Sequence, residues 1–265
     1  MADWGISGTP QKLAETAAEL GYDGIEVWWP RSVAAQSTLA ATTKSVGGGR
    51  LSLLAGSVLS DPEAHGDEIE EQLREIRVTG IDPLHVTLHL GRDHWPLSVQ
   101  HTLLERVADW RRTYDIDVLV ETHRGRILNS AFSAAELLPD HEGVRVAFDV
   151  SHWLVVSESY LDDQRDAVSL GIARADHVHA RIGHAQGPQV IDPEHDCWAG
   201  LLDRYFGWWD RIVARLEQDG KPVTFLAEFG PVPYAPSLAG RAVRDHAEVN
   251  AWMLQRLRER YGSAT

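Results

Sequence analysis

The chain has 265 residues, 25 Lys and Arg against 39 Asp and Glu, a formal net charge of −14 and one cysteine, Cys197. This length can bury a sizeable core, and a lone cysteine excludes an internal disulfide. The acidic balance opposes work on phosphate backbones, and no apolar run approaches the roughly 18 residues of a membrane span. The opening MADWGISGTPQK lacks a basic and apolar leader pattern, so a cytoplasmic protein is expected.

In chain order, a first strand is expected over residues 4–7. A helix then starts at Pro10, carries Leu13, Ala17 and Leu20, and stops at Gly21. Strand two covers 24–28, with a helix over 34–45. Strand three covers 51–58, and Asp61-Pro62 opens a helix with Ile69, Leu73 and Ile76 on one face. Strand four covers 84–90, and Pro96 starts a helix bearing Val99, Leu103, Val107 and Trp110. Strand five covers 117–122, with a short helix near 133–138. Strand six covers 144–150, followed by a helix around 163–173. Strand seven covers 177–182, then a long loop, 183–200, and a helix with Tyr205, Trp208, Ile212 and Leu216. Strand eight covers 223–229, and the last helix bears Val249, Met253 and Leu257.

Strands alternating with helices predict an α/β fold with a parallel sheet. Eight such units in a chain near the typical length of about 250 residues predict a single (β/α)8 TIM barrel over residues 1–265. Gly47-Gly48-Gly49 is too short to divide domains. No G-x-G-x-x-G or P-loop pattern follows a strand, which removes support for a nucleotide-binding open sheet.

In such a barrel the chemistry sits at the carboxyl ends of the strands. Four segments place a polar residue there: LVETH (Glu121), AFDVSHW (Asp149 and His152), HVHARIG (His179) and FLAEFGP (Glu228). Glu121, Asp149, His179 and Glu228 are 28, 30 and 49 residues apart, and a strand–helix unit needs roughly 30 or more. Taken singly, each carboxylate reads as a helix cap and the histidine as a core residue. Taken together, three carboxylates on one cavity repel unless a cation joins them. Oxygen-rich ligation with one imidazole suits one divalent ion, Mn, Mg, Co or Zn. His152 lies three residues beyond Asp149, placed to hold a substrate hydroxyl, a water or a second metal. Arg181 shares a strand face with His179 and is placed to hold a substrate oxygen or to pair with a structural carboxylate. Ten tryptophans is a high count. Trp28, Trp29 and Trp153 fall near strand ends and Trp95 and Trp198 in loops, where flat rings suit the C–H faces of a sugar or simply pack.

The order and spacing of these segments resemble the xylose-isomerase-like TIM-barrel superfamily, which includes sugar isomerases and epimerases and the AP endonuclease family 2 type barrel. The resemblance covers nearly the whole chain. It implies that Glu121, Asp149, His179 and Glu228 hold the metal, that Glu121 and Glu228 also serve as acid and base, and that His152 and Arg181 contact substrate. His89, Trp28, Trp153 and His195 complete the expected substrate-binding set. The implied reaction is proton abstraction next to a carbonyl through a metal-stabilised enediolate. The implied partner is a small carbohydrate, without nucleic acid or membrane, and homo-oligomerisation stays open.

Three alternatives accompany this expectation. A lyase or deglycosylating subunit acting on an oxidised sugar would use the same proton abstraction to expel a neighbouring group. An apurinic-site endonuclease would use His89, Glu121, Asp149, His152, His179 and Glu228, but its Asp-x-His pair is replaced by Asp192 and His195, three apart, and the acidic charge opposes DNA. A non-catalytic sugar-binding barrel is the third. The segment 181–198, RIGHAQGPQVIDPEHDCW, departs from established ketose epimerases and resembles uncharacterised bacterial isomerase-like proteins, which leaves the substrate open.

Overall fold

Short apolar runs that end at a polar residue form the strands, and capped amphipathic segments form the helices between them. The computed structural model describes residues 1–4, 8–45 and 50–262. Its contacts gather into two units. One comprises Met1–Glu121, Gly125–Ile127 and Leu137–Arg145, the other Thr122–Arg124, Leu128–Glu136 and Val146–Thr265.

The first unit runs α1 (Pro10–Glu19), β1 (Gly24–Trp28), α2 (Val33–Ser45), β2 (Arg50–Gly56), α3 (Pro62–Thr79), β3 (Val86–His89), α4 (Leu97–Tyr114) and β4 (Val118–Glu121). The four strands pair in parallel in chain order, with Ile25 opposite Leu51, Leu53 opposite Val86 and Thr87 opposite Leu119. Residues Leu51 to Gly56 are all buried, as expected of a parallel strand covered on both faces. The helix starts follow the capping rules. Thr9 accepts from Lys12 N ahead of Pro10, and Asp61 accepts from Ala64 N ahead of Pro62; α3 ends at Gly80 in the left-handed region, φ 71°. Leu53, Ile69, Leu73, Ile76, Leu88 and Val107 are fully buried, and each contributes about 1.5–3 kcal/mol.

Residues 5–7 of the expected first strand lie outside the described residues. The parallel pairing begins just before them: Ala2 bridges Glu26, with Glu26 N donating to Met1 O at 2.9 Å and Asp3 N to Glu26 O at 3.1 Å. Among the described residues, seven strands run parallel where eight were expected.

His65, on α3, is fully buried, and its Nε2 accepts from Gly91 N at 2.9 Å. Burial holds its pKa down at about 4. The folded protein therefore binds fewer protons here than the unfolded chain between pH 4 and 6.5. The stability this histidine supplies is complete above 6.5 and is lost as pH falls toward 4, by about 3 kcal/mol. His65→Gln, which keeps an acceptor but cannot titrate, is expected to lose less stability than wild type between pH 7 and 4.5 in urea unfolding. Parallel losses would show that His65 does not titrate as argued.

The second unit runs α5 (Ala131–Leu137), β5 (Arg145–Phe148), α6 (Val150–Ser157), α7 (Arg165–Arg174), β6 (Ala175–Ala180), α8 (Ala199–Gln218), β7 (Phe225–Ala227), the two-residue strands β8 (Ser237–Leu238) and β9 (Arg241–Ala242), and α9 (His246–Tyr261). Phe148 pairs with Val178, and His179 with Leu226, both in parallel. α8 buries Tyr205, Phe206, Trp209, Ile212, Val213 and Leu216. Two elements differ from expectation. Helix α6 follows β5 at once, because the Asp149 side chain caps it by accepting from Ser151 N at 2.9 Å. The β8–β9 hairpin forms where no strand was expected, turning through Ala239 and Gly240 at φ 51° and 76°. No helix among the described residues is long and apolar enough to cross a membrane.

Candidate functional site

In the first unit the expected residues Trp28, His89 and Glu121 come together. His89 Nε2 lies 2.6 Å from Glu121 Oε2, and the Trp28 ring meets His89 edge-on at 4.8 Å. Glu121 is buried, whereas Trp28 is 41% exposed and so offers a face to solvent. A further buried acid–imidazole pair, Glu26 and His85 at 3.3 Å, had no counterpart in the sequence expectations.

In the second unit Asp149, His152, His179, Arg181 and Glu228 form one cluster. His179 Nδ1 is 2.9 Å from Glu228 Oε2. Asp149, His179 and Glu228 each present a ligand atom within 4.8 Å of the others. Asp149 is fully buried, and its two oxygens have different partners. Oδ1 accepts from Ser151 N at 2.9 Å and Ser151 Oγ at 2.5 Å, while Oδ2 accepts from Arg181 Nη2. Arg181 also donates from Nε to Ser151 Oγ at 3.2 Å, and its Nη2 lies 2.7 Å from His152 Nε2. Asp149 thus caps a helix beside a candidate ligand set, and Arg181 is paired with a carboxylate, one of its two expected readings.

Burial pushes the Asp149 carboxyl up, to about 6; Arg181 and His179 oppose that rise and the Glu228 charge adds to it. A carboxylate that is both buried and repelled by a neighbour gains from a cation. The donor chemistry, two carboxylates and an imidazole, fits a hard or borderline divalent ion.

Several neighbours were not foreseen. Tyr234, in the GPVPY segment after Glu228, carries the Arg181 and Arg124 guanidinium groups over its ring at 4.9 and 4.6 Å. Burial raises its hydroxyl pKa, and the two arginine charges offset part of that. The His123 ring lies tilted at 45° to His152, with ring centroids 3.9 Å apart. His177 sits edge-on to His179 at 5.2 Å, with Nδ1 2.7 Å from Thr224 Oγ1. The GPVPY segment directly after Glu228 is the sequence signal that could have found Tyr234.

Two expected residues stand apart. Trp153 is fully buried against Phe148 and donates from Nε1 to Leu128 O at 3.0 Å. Its ring edge occupies the space where Gly171 lacks a Cβ. His195 is exposed and accepts from Cys197 N at 3.2 Å, capping the short turn Asp196–Trp198.

The backbone beyond Glu228 is held by side-chain amides. Phe229 N donates to Asn250 Oδ1 at 2.7 Å, and Asn250 Nδ2 donates to Phe229 O at 2.9 Å. Gly230 N donates to Gln189 Oε1 at 2.8 Å, and Gln189 Nε2 donates to Gly230 O at 3.1 Å. Gln189 belongs to the 181–198 segment, which is further tied by Tyr205 to Gly183 N at 2.9 Å.

No family model matches the chain, and no curated protein matches its sequence. Solved structures resemble it over nearly its whole length. The 3-keto-D-glucoside 4-epimerase YcjR from E. coli superposes with a TM-score of 0.62 at 14% identity, covering 98% of each chain. L-ribulose 3-epimerase gives 0.60 at 15% identity, over 100% of this chain and 97% of that one. A xylose isomerase-like TIM barrel protein from Mycobacterium smegmatis, in complex with magnesium, gives 0.59 at 16%, over 94% and 88%. The shared fold is the α/β TIM barrel.

Proposed function

We propose that this chain is a divalent-metal-dependent sugar or polyol isomerase or epimerase, with residues 1–265 acting as one catalytic domain. The observation that carries the reading is the Asp149–His179–Glu228 set, Asp149 and His179 buried and Glu228 partly so, with three ligand atoms within 4.8 Å and the Asp149 carboxyl pushed up by burial. Glu121 is the proposed fourth ligand. It directly precedes Thr122, whose N–H donates to Ala147 O at 3.1 Å and whose hydroxyl donates to Asp149 O at 3.0 Å. The likeness to two sugar epimerase structures and to a magnesium-bound barrel agrees with this reading.

Mn, Mg, Co or Zn would suit these donors, and when bound would supply Lewis acidity to a substrate carbonyl. Glu121 and Glu228 would divide the acid and base roles, one removing the proton beside the carbonyl and the other returning one. Arg181 and His152 would hold substrate oxygens, and the exposed Trp28 ring with His89 would meet the sugar's C–H face.

The test is hydrogen exchange in D2O at the carbon next to the carbonyl, across ketoses, inososes and keto-sugars, with the products identified. Exchange is expected to give isomers, to vanish after chelation and to return with one of the four ions. Exchange that survives in ion-free protein, or none with any member of the panel, would overturn the proposal.

A further inference from the structure

Arg92 and Arg126 take no part in the chemistry described so far. Both lie in loops that leave strand ends of the first unit, Arg92 after β3 and Arg126 after β4. Arg126 Nη1 donates to Ser57 O and Gly91 O, each at 3.4 Å, and Arg92 Nη2 donates to Val58 O at 3.2 Å. The anchoring carbonyls come from two consecutive residues after β2 and from Gly91, so the two guanidinium groups are neighbours. Burial first, and the Arg92 charge second, lower the Arg126 pKa. Neither arginine forms an ion pair among the described residues, in a chain with 39 acidic side chains to 25 basic ones.

The Glu121 and Asp93 charges offset part of that cost, but neither makes an ion pair with Arg126 among the described residues, and two neighbouring cations so placed gain from an anionic ligand. A guanidinium has five N–H donors, and each of these uses one terminal nitrogen on backbone carbonyls. The remaining donors suit the paired oxygens of an oxyanion. The strand ends they follow are those that carry His89 and Glu121, and strand carboxyl ends are where a TIM barrel binds substrate.

We propose that Arg92 and Arg126 form an oxyanion subsite, so that the substrate is a sugar or polyol bearing a carboxylate or a phosphate. This names a substrate class for the reaction proposed above and rests on that reading.

The experiment is calorimetric titration of the full chain with D-fructose, D-fructose 6-phosphate, D-fructuronate and inorganic phosphate. Chelator is present throughout, so that no metal supplies the anion contact. At least one anionic sugar is expected to bind about tenfold or more tightly than D-fructose, with the advantage shrinking as salt rises. Which sugar wins identifies the phosphate or the carboxylate as the source. Arg126→Gln is expected to remove most of that advantage. Arg92→Gln, which loses a single carbonyl bond at a half-exposed position, is expected to reduce it by about threefold or more even if Arg126→Gln folds poorly.

Equal binding of D-fructose and the anionic sugars, no binding by any anion, or a preference unchanged in Arg92→Gln would overturn the subsite. Hydrogen exchange is scored separately. Exchange without anion preference leaves the isomerase reading standing and removes the subsite; anion preference that depends on both arginines, without exchange, does the reverse.

Discussion

Glu228→Gln is expected to lower turnover by about 10²–10⁴-fold while the fold and thermal stability stay near wild type. The substitution preserves side-chain size, and Glu228 is the least buried of the clustered donors, its side chain 14% exposed. A glutamine can still hydrogen-bond the His179 imidazole that now lies 2.9 Å from Glu228 Oε2. It cannot accept a proton from carbon, and it removes a negative charge from the ion's surroundings. Assays at saturating Mn, Mg, Co and Zn separate those losses: weaker ion binding alone would be rescued by more ion, whereas loss of the base would not. Turnover within twofold of wild type at saturating ion would remove Glu228 from the acid–base role.

The second large effect is on stability. Arg181 is 1% exposed, and its guanidinium meets the fully buried Asp149 carboxylate. Arg181→Met keeps much of the side-chain volume but leaves that carboxylate without its cation. Breaking a buried ion pair from one side costs about 3–5 kcal/mol. Urea unfolding of ion-free Arg181→Met is expected to show a loss of that size. Adding Asp149→Asn to the variant is expected to recover a large part of it, because an amide can still accept from Ser151 and carries no buried charge. A single-variant loss below about 1 kcal/mol would mean that Arg181 is not what keeps Asp149 ionised and buried.

The barrel and its strand ends were legible because the signal is local. An apolar run such as Val118-Leu119-Val120 must stop being apolar where it leaves the core, and Glu121 marks that point. The same holds at Phe148-Asp149, where the structure shows the cap that the residue type alone suggests: the carboxylate caps α6. A cap and a ligand draw on the same residue types, so sequence alone does not divide them. Trp153 was placed among sugar-facing rings by its nearness to a strand end. One turn of α6 instead carries it into the core, where Gly171 leaves space for its ring. Tyr234 under Arg124 and Arg181, and Arg126 against carbonyls after β2 and β3, depend on long-range pairings that no periodicity records.

The paired amides after β7 tie the 181–198 segment to the backbone beside Glu228. Gln189 holds Gly230 through two hydrogen bonds, only two residues beyond Glu228, and it belongs to the 181–198 segment that sets this chain apart in sequence. Grafting a foreign loop at 183–195 to change specificity would therefore shift the candidate base as well, unless an amide of the same reach remained at position 189.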